Sequence, residues 1–392
     1  MLFTSKNATV LLPLLSIGFL FFTSVFFTFV FFVGPTSARK PHIINFRSHN
    51  LFPESFTWDP KAQHFIVGSL RYPTLLSVSD AGVVETLVSD SSLPSNSSFV
   101  GLSLDRQRRR ILACVHRPSS PSSPAFNALA AYDLSSGRRL FLSPLLNTPA
   151  ENPDAGESSS SPSPSPSDVA NDVAVDYSGN AYVTNSGADI IWKINVDGEA
   201  SVLSRSNVFK SFPVDQTAWY RKCGLNGVVY NSKGYLLVVQ SNTGKLYKVD
   251  VDDGTSRRVI LNKDLTAGDG LAVRSDGVLV VVSQEKLYFV RSQDSWSEGV
   301  VFDETALEAE KQASGVTVGE EDRVYVLYGY VNEGVMGNVE RDEFSVIEVE
   351  SEIESEGEKV WLYVLIGLGL AYFLFWRFQM KQLVHNMNKK TN

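Results

Sequence analysis

Apolar and polar residues alternate in short runs through the middle of the chain, and turn residues break the runs. The stretch Asn171–Ile194 shows the unit. Val173 and Val175 alternate with polar neighbours, Ser178-Gly179-Asn180 makes a turn, and Ala181 and Val183 bring the chain back. A second turn at Ser186-Gly187 leads to Ile190-Ile191-Trp192. Period-two alternation cut by Gly, Asn and Asp predicts short antiparallel strands joined by tight turns.

The same phrase recurs along the chain. First strands begin at Glu54, Val100, Asn171, Asn226, Asp269 and Ser314. Each is followed by a turn and a second apolar run: HFIVGS, RILACV, AYVTNS, YLLVVQS, VLVVVSQ and RVYVLYG. Most units add a third strand, as in Lys245–Gly254 and Ile190–Gly198. Six such units, repeating every ~40–50 residues, predict an all-β, six-bladed β-propeller over residues 41–350. A β-sandwich rarely repeats one strand–turn–strand phrase so often. The lone apolar run His42–Phe46 is expected to supply the outer strand of the last blade, closing the ring and removing an exposed edge.

The two ends read differently. Val10–Val33 is almost wholly Leu, Phe, Val and Ile, and at ~1.5 Å per residue it is long enough to span a bilayer. Residues 1–40 are therefore expected to be a signal-anchor, or a cleavable signal with Thr36-Ser37-Ala38 before the cut. Residues 351–359 read as an acidic tether and 360–376 as a transmembrane helix with Trp361 and Trp376 at its ends. Residues 377–392 form a basic tail with Arg377, Lys381, Lys389 and Lys390, expected on the cytoplasmic side. The propeller would then be lumenal or extracellular, in a membrane of the secretory pathway or at the cell surface, with the lipid bilayer as one partner.

Within the ring, the Ser/Pro-rich stretch Thr148–Asp168 is predicted to be a disordered surface insertion between blades two and three. Asp105–Arg110 looks basic but falls between two strands, which reads as a solvated hairpin tip. Asn96-Ser97-Ser98 fits an N-glycosylation acceptor if this region is lumenal. A net charge of −8 and no basic face argue against a nucleic-acid partner. The two cysteines, Cys114 and Cys223, could form one bridge or stay as buried thiols.

Candidate chemistry lies at the first position of each unit. In a propeller these positions converge on one mouth of a central channel. Glu54, Asn171, Asn226 and Asp269 are all oxygen donors, the set a hard cation such as Ca²⁺ prefers. The five histidines are scattered, so zinc has no competing cluster. Asn226-Gly227 and Asp269-Gly270 are also favoured turn pairs, which is the alternative reading of those two positions.

PES-x-x-WDP around Glu54, followed by NDVAVDYSGNAYVTNS, LNGVVYNSKG and GDGLAVRSDG, resembles the senescence-marker-protein/gluconolactonase group of calcium-dependent lactonases and phosphotriesterases. NHL-repeat and strictosidine-synthase-like propellers are related in pattern. The resemblance covers residues 50–330. It implies a metal held by Glu54, Asn226 and Asp269, with Asn171 as a further ligand or substrate contact and Asp269 as general base. The lactonase branch usually carries an Arg just before the Asn-Asp of the middle blade. Here Asp168-Val169-Ala170 precede it, which speaks against a sugar-lactone substrate.

The leading expectation is thus a membrane-anchored hydrolase of an ester, lactone or phosphoester. The alternative is a non-enzymatic ring that presents a small-molecule or protein ligand at its mouth. A strictosidine-synthase-like condensing enzyme would need a catalytic Glu that the sequence does not place.

Overall fold

The computed structural model describes residues 41–147, 168–210 and 213–389. The expected N-terminal signal segment and the 148–167 part of the insertion lie outside the described residues. Two compact units are present: Pro41–Glu352, which is all β, and a second that holds the C-terminal helix.

The first unit is a six-bladed propeller, its six sheets each starting from an inner strand. The inner strands are Phe56–Asp59, Ser98–Asp105, Ala170–Val175, Leu225–Asn231, Leu271–Val273 and Ala313–Val318. Five sheets have four strands. Blade five has a fifth, Ile260–Leu261, laid parallel along the outer strand Glu298–Ala306. Second strands are packed on both faces, which explains their unbroken apolar runs: Leu236–Val239 and Leu279–Val282 are wholly buried.

The hydrophobic core is six separate clusters, one in each gap between consecutive blades. The cluster between blades six and one contains Ile44 and Phe46, so the ring closes as expected. The closing strand is Ile43–Arg47, antiparallel to Glu343–Glu348, with Ile44 opposite Val346 and Phe46 opposite Phe344. Its N–H and C=O groups complete a sheet that would otherwise end in an open edge.

The basic run is a hairpin turn with Arg106, Gln107 and Arg108 exposed, as expected, but Arg108, Arg109 and Arg110 are bonded to neighbouring blades. Arg109 forks onto Asp59 of blade one with two 2.7 Å hydrogen bonds. Arg110, only 5% exposed, donates to Asp105 at 3.0 Å and to the carbonyls of Val196 and Gly179 at 3.0 and 2.8 Å. Arg108 reaches the carbonyl of Ser178 at 2.8 Å. The hairpin therefore fastens blade two to both of its neighbours. Arg110→Ala removes one of the two guanidinium partners of Asp105, which is 3% exposed, and the donor to two carbonyls. It should destabilise the ring by about 2–4 kcal/mol, read as a lower urea midpoint; an unchanged midpoint would refute the staple.

Asp168 is likewise an anchor rather than part of a solvated loop. It is fully buried and accepts from Asn185 Nδ2 at 2.9 Å. At the other end, the stretch expected as an acidic tether is helical. One continuous helix runs Glu352–Asn388, 37 residues, with Trp361, Leu368, Leu374 and Phe375 exposed. It is long and apolar enough to cross a membrane.

Candidate functional site

In blades two to six the start of the repeat sits at a break in the inner strand. Pairing with the second strand skips between Phe99 and Leu102, Ala170 and Val173, Leu225 and Val228, and Ala313 and Gly315. In blade five, Val282 pairs with both residues: Asp269 N donates to its carbonyl at 2.8 Å, and its N donates to Gly270 O at 3.0 Å. These are bulges, which turn side chains out of the ladder and toward the channel. Asn226-Gly227 and Asp269-Gly270 are therefore not the hairpin turns their composition also allows.

The second position faces the next blade at very short range. A Cβ on Gly227 would lie 2.1 Å from the carbonyl of Asp269, and one on Gly101 would lie 2.4 Å from that of Asn171. Gly227 N donates to Asp269 O at 2.9 Å across this contact. Two blades carry a side chain there and bond it to the neighbour. Ser55 Oγ accepts from Leu102 N at 3.2 Å, and Asp172 Oδ2 accepts from Val228 N at 2.9 Å. Asp172 is the functional candidate that reading the first position alone misses. The signal was present: in the column Ser55, Gly101, Asp172, Gly227, Gly270, Gly315 it is the one charged member.

Two cavities meet at the bulges. The wider, about 750 Å³, opens among the loops between second and third strands and is lined by Asn171, Cys223, Tyr72 and Met336 among others. The narrower, about 370 Å³, runs along the inner strands past Asp172, Ser314 and Arg106. Glu54, Asn226 and Asp269 line both and form the waist between them. The structure thus brings three of the four expected ligands to the waist and sets Asn171 on its wide side. Asp172 faces the narrow side. Asn96 is exposed on the wide rim in left-handed backbone, φ 62°.

Hydrogen bonds orient the two amides alike. Asn171 Nδ2 donates to Ser186 Oγ at 2.7 Å, and Asn226 Nδ2 to Ser241 Oγ at 3.0 Å. Each serine then donates to a carbonyl of the next blade at 2.7 Å, Ser186 to Leu225 and Ser241 to Gly268. With the NH₂ groups held, the amide oxygens are left over. Asn171 Oδ1 and Glu54 Oε2 are buried without a hydrogen-bond partner.

The carboxylates sit deep in the ring, where solvent reaches them only along the channel. Burial raises Glu54 well above its ordinary value, and the charges of Asp269 and Asp172 add to it. Burial likewise pushes Asp269 to about 7, helped by Asp172 and opposed by a hydrogen bond from Asn226. Asp172 rises to about 7 through burial, against N–H donors from Val228 and Val173. Both cysteines are free thiols, and burial lifts Cys223 to about 11, with Asp269 and Glu54 adding to the rise.

Among the described residues no group of three or more His, Cys, Asp or Glu side chains is arranged as a metal site. Two carboxylates and one amide, Glu54, Asp269 and Asn226, form the waist, and a second amide, Asn171, stands on its wide side. Buried acceptors outnumber donors there, and two lack partners, which is the electrostatic situation a hard cation relieves.

No protein-family model matches the chain, and no curated protein matches it in sequence. Solved structures match it in shape. The major allergen Mala s 1 of Malassezia sympodialis is 18% identical with a TM-score of 0.61, covering 80% of this chain and 97% of its own. A luciferin-regenerating enzyme is 14% identical with a TM-score of 0.50, covering 80% and 97%. The chain shares the fold of these propellers. A gluconolactonase from Xanthomonas campestris is also similar, 14% identical with a TM-score of 0.47 over 79% of this chain and 90% of its own.

Proposed function

We propose that the ring holds a divalent cation, calcium by preference, at Glu54, Asn171, Asn226 and Asp269, and hydrolyses an ester, lactone or phosphoester at its waist. The observation that carries this reading is the waist itself: raised carboxylates beside unpartnered amide and carboxylate oxygens. A bound cation supplies Lewis-acid polarisation of a carbonyl or phosphoryl oxygen. Asp269, a carboxylate at the waist, is placed to take the proton of an attacking water. Water adds to the acyl or phosphoryl centre, the bond to the alcohol oxygen breaks, and the proton passes from Asp269 to the leaving alkoxide.

The long apolar helix supports an anchor in a membrane. The basic tail supports a cytoplasmic C-terminus and a lumenal or extracellular ring, where Asn96 would be an accessible glycan acceptor.

The test is thermal unfolding of the full chain in lipid nanodiscs, with calcium and with chelator, alongside hydrolysis of simple lactones and aryl esters. Calcium at about a hundred times its Kd stabilises by ~2.7 kcal/mol, a rise of several degrees. No rise and no hydrolysis would leave the ring as a binding module.

A further inference from the structure

The wide mouth is built around apolar surface. Leu70, Tyr72, Val100, Pro118, Val331 and Met336 line it. Among the described lining residues Arg71 is the one guanidinium. Its Nη2 donates to the carbonyls of Glu333 and Val339 at 3.4 and 3.3 Å, and its plane lies 4.8 Å over the Phe52 ring. His116 bonds Asn127 through Nδ1 at 2.8 Å, and burial keeps it below its ordinary value, hence neutral. The hydroxyls of Ser98 and Ser241 are spent on the carbonyls of His116 and Gly268. At the floor stand Glu54 and Asp269.

One rim of this mouth is a short helix, Val331–Met336, fixed on its inner side. Glu333 accepts from Arg341 at 3.0 and 3.1 Å. Asn332 N donates to Gln312 at 2.9 Å. A Cβ on Gly334 would lie 2.7 Å from Phe52. These contacts hold Val335 and Met336 outward, 76% and 73% exposed, on the lip of the cavity. Apolar side chains held out at a cavity rim mark a surface that is covered when a ligand arrives.

We infer that this mouth selects a neutral ester or lactone with an alkyl or aromatic body, and that Tyr72, Val335 and Met336 grip that body and set specificity. Polar side chains such as Asn96, Gln284 and Asn332 share the lining, but the outermost lip is the apolar pair Val335 and Met336. The inference rests on the hydrolase reading of the same site and narrows its substrate class.

The full chain in nanodiscs with calcium is assayed on δ-valerolactone, δ-decalactone and D-glucono-δ-lactone, with empty nanodiscs correcting for partition into lipid. The expected kcat/KM for δ-decalactone exceeds that for δ-valerolactone by about tenfold or more, with the gluconolactone lowest. Met336→Asp and Val335→Asp, at exposed positions away from the waist, should each remove most of that preference by lowering kcat/KM for δ-decalactone. Calcium-dependent hydrolysis with equal rates, or a preference for the gluconolactone, overturns the inference while the hydrolase reading stands. If no lactone is hydrolysed, calorimetry decides the matter separately. δ-Decalactone binding that Met336→Asp abolishes upholds the apolar mouth, and no binding overturns it.

Discussion

Replacing Asp269 with alanine should lower calcium-dependent hydrolysis by about 10³-fold or more and erase the calcium-dependent rise in unfolding temperature. On the proposed reading Asp269 acts twice, as a charged ligand at the waist and as the group that takes the proton. Its backbone is fixed independently of the side chain, by Asp269 N on Val282 O and by Gly227 N on Asp269 O. The variant should therefore fold. Asp269→Asn separates the two roles, because it keeps a ligand oxygen and loses the base. Weakened calcium response with no turnover is the expected result for it. Retained turnover in Asp269→Asn would remove Asp269 from the chemistry and leave it as a ligand only.

In chelator, the protein should be more stable near pH 5 than near pH 8, the reverse of the trend that salt-bridged carboxylates produce. Asp172 and Asp269 stand at about 7 in the folded ring, against an ordinary 3.8. Between those values the folded state holds protons that the unfolded chain has released. Unfolding then becomes easier as pH rises, and the loss is complete above about 7. One such carboxylate corresponds to about 4 kcal/mol, and the two are not additive because the charge of Asp172 is part of what raises Asp269. Asp59 does not mask the effect. Burial acts to raise it, but bonds from Arg109 and Lys61 outweigh burial, so it titrates below its ordinary value and outside this window. His116, lowered by burial, opposes the trend as pH passes its ordinary 6.5. Urea midpoints at pH 5 and pH 8 measure the slope. Asp172→Asn should flatten it, and calcium should raise the midpoint mainly at pH 8. A midpoint that rises from pH 5 to pH 8 in chelator would contradict the buried carboxylate cluster.

The ring was legible in the sequence because its units repeat, and each repeat carries its own alternation and turns. The closing strand was legible for the same reason: His42–Phe46 is an apolar run with no partner nearby in sequence, and the last blade lacks a strand. Glu54, Asn226 and Asp269 were readable as a column because equivalent positions in a ring converge. Two things were not readable locally. The partners of Arg109 and Arg110 lie on other blades, so a run of charge looked like a solvated tip. A bulge arises from pairing with a distant strand, so Asn-Gly in a bulge and Asn-Gly in a turn have the same local appearance. Asp172 was hidden by the same geometry, since only the bulge brings a second residue of the repeat to the channel.

The seam of the ring also imposes a schedule on synthesis. Ile43–Arg47 leaves the ribosome before any blade, yet its partner Glu343–Glu348 comes about 300 residues later. At ~5–20 residues per second that strand waits tens of seconds with its backbone groups unpaired. Five blades can assemble in that interval, but the circle cannot lock until the final strand arrives. A nascent chain halted before Glu348 therefore carries two sticky edges at once, one from its oldest strand and one from its newest. Quality control in the cell can read that state as unfinished.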